Sequence, residues 1–400
     1  MSVSVDRTQF VAPASFVRIQ NGALFVGIVG TVAALIGLFV ERGAFFNAYL
    51  LGFTYWWDLS MGCLALLMLY HLVGGMWGFT MRRPLEAASL NILYVGLLFV
   101  PLIFGAGTLY EWMDPNVVRN SPELLHKAGY LNLQAWALRG VLGFVLWGLL
   151  AIALNRWSGR QDKETGSFDW RFQRLCGVGL IIYLLSITWS SVDWVMSLEP
   201  HWWSTIYGLM FVPNQALLAV ALMVTVGYLL WDYEPMKGLL KHYHFQDWGK
   251  LMLTFTMVFG YFQFSQLLVM WSGNLPEEIG WYLHRQRGGW EWVSLAVVLL
   301  GFAVPFALLL SKARKRDPKS MVALAALVAV MQYVVLWWME RVSAPVGREQ
   351  INFTWQDLAV WAAMGGWWVA LFCRQMRRRP LLVFNDPKME TLLSEHEHEE

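Results

Sequence analysis

The sequence predicts an all-α integral membrane protein with ten transmembrane helices. Hydrophobic residues make up 57% of the 400 positions and charged residues only 14%, whereas soluble domains carry about 25% charged residues. Apolar runs of about 20 residues, the length that crosses a bilayer, recur along the chain. The 24 tryptophans favour the same class, because indole rings collect at membrane interfaces. The net charge of +2 does not indicate a nucleic-acid partner.

Ten apolar runs are each long enough to form a membrane span. In chain order they cover residues 19–40, 56–79, 87–110, 131–154, 174–195, 204–231, 248–272, 290–311, 319–340 and 354–374. The first run is too long for the core of a signal peptide, so it predicts a retained span. The connections are short, which predicts one transmembrane domain over 19–374 between an N-terminal tail (1–18) and a C-terminal tail (375–400).

The distribution of lysine and arginine predicts the orientation of this bundle. Alternate connections and both tails together hold 22 of these residues, whereas the connections on the other side hold 7. Basic residues accumulate on the cytoplasmic side of membrane proteins. Both termini are therefore expected on the cytoplasmic side of the membrane, with the tryptophan-rich loops on the opposite face.

Polar side chains within apolar runs are candidates for a proton pathway, because burying them in a bilayer is costly. His71 lies well inside the second run, and an imidazole titrates near neutral pH. It is interpreted either as a proton-relay member or as a neutral histidine bonded to another helix. Asp58 is expected at the outer end of the same run. The sequence shows no acid at the centre of the bundle.

Arg139 lies within the fourth run and requires an acidic partner, for which Asp58 or Asp193 is at a compatible depth. Such a pair is either a structural ion pair or part of the pathway. Gln263 and Gln266 lie in the outer half of the seventh run. Amides of this kind either join helices or contribute to a polar route through the bundle.

Two outer loops concentrate acids, histidines and tryptophans. They are interpreted as a docking surface for an extracytoplasmic partner or as an aromatic belt with helix caps. The candidate docking residues are Glu199, His201, Trp202, Glu277, Glu278 and His284.

No CxxCH pattern for covalent haem and no CxxC pattern for an iron–sulfur cluster or zinc occurs among the three cysteines. His71 is the one histidine deep in a predicted span, and haem b usually requires two. The expectation is that this chain itself binds no redox cofactor and no metal.

Three segments resemble a known family. They are DWVMSLEPHWWSTIYG (193–208), FSQLLVMWSGNLPEEIGWYLHR (264–285) and LYHLVGGMWGFTMRRPLEA (69–87). Each is similar to the ActF-type membrane subunit of alternative complex III, a quinol:cytochrome c or cupredoxin oxidoreductase of respiratory or photosynthetic electron transport. The resemblance covers the second to ninth runs.

The resemblance implies an NrfD-like (polysulfide-reductase-type) fold with two four-helix bundles and a flanking helix pair. It also implies a complex that carries haem c and iron–sulfur clusters in other subunits. The expected partners are an NrfD-type sister subunit (ActC), an iron–sulfur subunit (ActB), multihaem and monohaem cytochromes c (ActA, ActE), a small membrane-anchored subunit (ActD) and the menaquinol or other quinol pool. This subunit is expected to act as a scaffold and a proton pathway and to bind a quinone or lipid at most. The alternatives are a catalytic quinol-binding subunit around Tyr55, Asp58 and His71, or a secondary transporter.

Overall fold

The computed structural model describes residues 10–164, 169–234, 236–344, 350–389 and 391–392, and their regular structure is helical. The α-helices in chain order are α1 Ala14–Val40, α2 Arg42–Val73, α3 Met76–Phe79, α4 Arg82–Leu90, α5 Ile92–Leu109, α6 Pro115–Asn120, α7 Pro122–Lys127, α8 Leu133–Gln161, α9 Asp169–Trp194, α10 Tyr207–Leu230, α11 His242–Gly273, α12 Pro276–His284, α13 Trp290–Ala296, α14 Val304–Leu310, α15 Lys312–Arg316, α16 Pro318–Ser343 and α17 Trp355–Met376. A π-helical segment, Val297–Ala303, joins α13 to α14.

Nine helical stretches among the described residues are long and apolar enough to cross a membrane. They correspond to the first nine predicted spans and indicate a multi-pass all-α membrane protein. The tenth predicted span, 354–374, forms the 22-residue helix α17, which is not among the nine.

The second predicted span has the wrong limits. Helix α2 begins at Arg42 instead of residue 56 and ends at Val73 instead of residue 79. Gly74 and Gly75 follow it with φ of 74° and 99°, a backbone region that favours glycine. The sequence does not indicate this early start of α2, because residues 42–55 mix aromatic and polar side chains. Asp58 consequently lies near the middle of a 32-residue helix, and not at its outer end.

Helices α2 and α10 form the centre of the molecule. In each of these two helices, 78% of the most apolar 18-residue stretch is buried, whereas the value is 22% in α1 and α11. On one side, α2 packs against α4, α5 and α9, and α8 packs on α4, α5 and α9. On the other side, α10 packs against α11 and α16, with the α13–α14 stretch beside them. Helices α1 and α17 pack together and against α2.

Glycines allow two of these helix pairs to approach closely. A Cβ atom at Gly62 of α2 would lie 1.9 Å from the carbonyl oxygen of Gln215 in α10, and one at Gly366 of α17 would lie 2.3 Å from the amide nitrogen of Gly27 in α1. Both distances are far below van der Waals contact with backbone atoms. Gly62 follows Asp58 by four residues, which is about one turn of α2. Helix α10 therefore contacts α2 close to Asp58.

The two ends of the bundle differ in composition. The basic end holds Arg82 and Arg83, the last turn of α8, α15 and the end of α17, whereas the loop end holds residues 110–132, 195–206 and 274–289. Part of the predicted C-terminal tail packs onto the basic end. The Leu381 amide donates to the Phe10 carbonyl at 2.8 Å, and Leu382 is fully buried.

Candidate functional site

A chain of hydrogen bonds crosses the centre of the bundle from α9 through α10 to α2. The Tyr183 hydroxyl donates to Gln215 Oε1 at 2.7 Å, and Gln215 Nε2 donates to Asp58 Oδ1 at 2.8 Å. Asp58 is fully buried. Its second oxygen, Oδ2, has no hydrogen-bond partner among the described residues. One acceptor position of a buried carboxyl group therefore remains open.

Helix α10 carries further polar groups next to Gln215. Pro213 lies inside the helix, and a proline removes one backbone hydrogen bond. The neighbouring Asn214 is fully buried, and neither atom of its amide has a partner within the described part of the chain. A buried polar group without a partner costs about 1–3 kcal/mol. Native proteins contain few such groups, and some of them belong to functional sites.

A second carboxyl group, Glu340 of α16, faces α2 nearby. The Thr54 hydroxyl donates to Glu340 Oε1 at 2.5 Å, and Glu340 Oε2 is unpartnered within the described ranges. Thr54 and Asp58 are four residues apart and so share one face of α2. Glu340 is only 3% exposed.

Neither Asp58 nor Glu340 forms a salt bridge with any described residue. Other buried acids, such as Glu86 and Asp193, each form one with an arginine. Likewise, Asp357 of α17 is paired with Arg341 and also accepts from the Thr354 amide at 2.8 Å. Burying an uncompensated carboxylate costs several kcal/mol. Carboxyl groups in such positions mark proton relays in membrane proteins. The expectation that the bundle centre lacks acids is thus wrong.

His71 does not join this network. It lies in the last turn of α2, 13 residues from Asp58 and so roughly 20 Å along the helix axis. Its ring stacks on Phe172 with centroids 4.2 Å apart and planes inclined by 3°. No described residue forms a hydrogen bond with its Nε2. The predicted position deep in the span is therefore wrong, because α2 ends at Val73.

Arg139 has the acidic partner that the sequence required. Its Nε and Nη2 lie 2.6 and 2.9 Å from the two carboxylate oxygens of Asp193, and its guanidinium lies 3.8 Å from the Tyr130 ring centre. The bidentate geometry joins α8 to α9 near the loop end. Asp58, the other proposed partner, is not involved. The pair has both charges satisfied, so the geometry favours its structural interpretation.

The predicted docking residues divide into buried and exposed groups. Trp202 is 5% exposed, stacks on Trp281 at 5.0 Å and donates to the Glu278 carbonyl at 3.1 Å. Glu199 is 8% exposed. These two side chains cannot form a docking surface, because they pack inward under the loop end.

The remaining docking candidates stay accessible. His201 Nδ1 lies 2.9 Å from Glu123 Oε2, and both side chains are more than half exposed. Glu277 is exposed in the first turn of α12, whereas Glu278 and His284 are half-buried.

Arg285 is a buried cation that the sequence did not single out. It donates to the carbonyls of Trp281 at 2.8 Å and Met339 at 2.9 Å, and to the Ser343 hydroxyl at 2.9 Å. Burial lowers the pKa of this guanidinium to about 10, and Glu199, whose carboxylate is 3.7 Å away, opposes the shift. The sequence places Arg285 in a connection between two predicted spans, where an arginine is usually exposed to water.

An apolar cavity of about 540 Å³ opens between α11, the loop end and the π-helical segment. Gln263, Tyr282 and Arg285 are among its few polar lining residues. Gln263 Nε2 and the Tyr282 hydroxyl have no hydrogen-bond partner among the described residues. π-Helical segments occur frequently at functional sites. Gln266 lies outside this lining, and its Oε1 accepts from the Ser204 hydroxyl at 2.8 Å.

The six predicted pathway residues therefore fall in separate places. Asp58 belongs to the hydrogen-bonded network between α2 and α10, and His71 lies at the basic end. Arg139 and Asp193 form an ion pair, Gln263 lines the cavity, and Gln266 bonds Ser204 outside it. The sequence does not single out Glu340, because Glu340 is the last residue of the ninth predicted span. Its signal was an acid within the last turns of an apolar run, since such residues seldom face lipid.

These features define a multi-pass α-helical membrane protein with unpaired carboxyl groups among the described residues of its interior. No protein-family model matches the sequence, and no curated protein matches it significantly.

Proposed function

We propose that this chain is an integral membrane subunit of a quinol-oxidising electron-transport complex of the alternative complex III type. Its role there is to conduct protons and to anchor the redox subunits. The observation that carries the proposal is the pair of buried carboxyl groups, Asp58 and Glu340, which have no cationic partner among the described residues. Quinol oxidation releases protons together with electrons, so a subunit beside the quinol site needs groups that accept them.

The helix packing supports the proposal. One group contains α2, α8, α9 and the α4–α5 stretch, and a second contains α10, α11, α16 and the α13–α14 stretch, with α1 and α17 packed as a pair. This arrangement agrees with the two four-helix bundles and flanking pair of an NrfD-like fold with ten spans. Under the proposal, both termini lie in the cytoplasm of a bacterial inner membrane.

The partner subunits supply the electron carriers under this proposal. Haem c subunits would cover the loop end, where His201 and Glu277 are accessible. The sister NrfD-type subunit and the iron–sulfur subunit would complete the quinol site.

Purification of this chain in a mild detergent is expected to bring down haem c and iron–sulfur subunits. Haem absorbance and the electron paramagnetic resonance signal of the clusters should follow the tagged chain through size-exclusion chromatography. A double variant of the accessible loop end, H201A/E277A, should lower haem recovery, whereas D247N at the basic end should not. A stable colourless chain that takes up substrate into liposomes would contradict the proposal and favour a transporter.

The apolar cavity supports a second candidate function, which is quinone binding by this chain itself. A quinone has an apolar ring and tail and two carbonyl acceptors. The Gln263 amide and the Tyr282 hydroxyl are donors without partners among the described residues, and both line the cavity. This location differs from the Tyr55–Asp58–His71 region expected from the sequence.

A photoreactive quinone analogue is expected to label residues that line this cavity. Because a hydrogen bond contributes about 0.5–1.5 kcal/mol, Q263L and Y282F should each weaken labelling by roughly twofold to tenfold. Y228F, which changes a partly exposed tyrosine outside the cavity, serves as the control. Mass spectrometry locates the adduct. Labelling confined to α2 near Asp58, or unchanged in Q263L and Y282F, would remove this assignment.

A further inference from the structure

The basic end contains a cavity that the proposed function does not use. Its volume is about 400 Å³, and it lies between the start of α4 and α5, the last turns of α8 and the end of α17. Arg83, Arg374, Arg378 and Arg379 line it, and Glu86 is the one acidic residue among the described residues of the lining. The cavity wall is therefore strongly cationic.

Glu86 forms salt bridges with Arg82 at 2.8 Å, Arg83 at 2.7 Å and Arg379 at 3.9 Å. It leaves the other two lining arginines without an acidic partner among the described residues. Arg374 and Arg378 are exposed, and neither forms a salt bridge with a described residue. Two free guanidinium groups at one cavity favour an anionic occupant, because guanidinium binds phosphate in a bidentate geometry.

A polar group in the cavity points to the same kind of occupant. The Gln375 side chain donates through Nε2 to Asn91 Oδ1 at 2.9 Å. Its Oε1 is buried and has no donor within the described part of the chain. A hydroxylated headgroup would supply that donor while its phosphate contacts the arginines.

An apolar path leads away from the cavity along α5. Leu93, a cavity residue, is 46% exposed, and Leu97, Val100 and Phe104 are 71%, 47% and 74% exposed. Their spacing places them on one face of the helix. From Leu93 to Phe104 the face extends roughly 16 Å at the standard helical rise, which is comparable to an acyl chain in one leaflet.

We propose that this cavity binds the phosphodiester headgroup of an anionic phospholipid, with an acyl chain along the exposed face of α5. The lipid holds the end of α17 against α4 and α8. A free phosphate ion shares the headgroup chemistry but gains nothing from the apolar face.

Native mass spectrometry of the full chain tests the proposal. The protein is stripped of lipid in detergent and titrated with phosphatidylglycerol, phosphatidylcholine or inorganic phosphate. The variant R374Q/R378Q is expected to weaken phosphatidylglycerol binding by about tenfold or more. The control R377Q changes a neighbouring exposed arginine that does not line the cavity and bonds Gln20, so it should bind as the parent does.

The single variants R374Q and R378Q should show smaller losses, and they decide the matter if the double variant does not fold. Equal binding of phosphatidylcholine, unchanged binding in the arginine variants, or displacement of phosphatidylglycerol by inorganic phosphate at equal concentration would each overturn the proposal.

Discussion

Replacing Arg82 by glutamine is expected to lower the free energy of unfolding by about 3–5 kcal/mol, the usual cost of leaving a buried charge without its partner. Arg82 is 1% exposed. It donates to Glu86 Oε1 at 2.8 Å, to Asp386 Oδ2 at 3.0 Å and to Gln161 Oε1 at 2.9 Å. These three bonds join α4, α8 and the segment after α17.

This effect is measured by thermal denaturation in detergent, with the remaining soluble monodisperse protein as the readout. R82K should recover part of the stability, because it keeps the charge but not the three-directional geometry of the guanidinium. The control is R377Q, which removes one exposed hydrogen bond to Gln20 and should change stability by less than about 0.5 kcal/mol. Equal melting of R82Q and R377Q would show that the Arg82 cluster does not support the fold.

Replacing Asp58 by asparagine is expected to slow proton transfer by about a hundredfold, within the range that a positioned acid–base group contributes. Asparagine retains an oxygen that can accept from Gln215 Nε2, now 2.8 Å from Asp58 Oδ1. The substitution therefore removes the exchangeable carboxyl proton while keeping the bond that holds α2 to α10. Glu340→Gln should have a similar effect, since the amide oxygen of the new side chain could still accept from the Thr54 hydroxyl.

Proton release by the intact complex in proteoliposomes, driven by quinol, is the measurement for these two variants. D247N is the matched control, because Asp247 is a partly exposed acid that pairs with Lys250 at the basic end. Size-exclusion profiles should show that every variant retains its partner subunits. Wild-type proton release in D58N would exclude Asp58 from the pathway.

The helices could be predicted from the sequence because a bilayer requires apolar runs of nearly constant length. The ends of α2 could not, because its first turns are buried by other helices and so need not be apolar enough to stand out. The Arg139–Asp193 pair could be anticipated, since a cation within a span requires an acid at its own depth.

The central network could not be derived in the same way. Asp58 and Gln215 are 157 residues apart, and Thr54 and Glu340 are 286 apart. Their proximity depends on the packing of α2 against α10 and α16, and the approach of α10 depends on the missing side chain at Gly62. Hydrophobic patterns show which residues are apolar, but they do not show which helices become neighbours.

The bond between Arg82 and Asp386 has a consequence for biosynthesis. The two residues are separated by 304 positions, and every long helix of the described chain precedes Asp386. During translation, Arg82 of α4 is therefore synthesised long before Asp386 leaves the ribosome. Lys388, whose Nζ lies 3.3 Å from the Tyr70 hydroxyl, arrives equally late. A nascent chain can thus complete its long helices while Arg82 still has only one of its two carboxylate partners, Glu86, so the contacts of the segment after α17 form last.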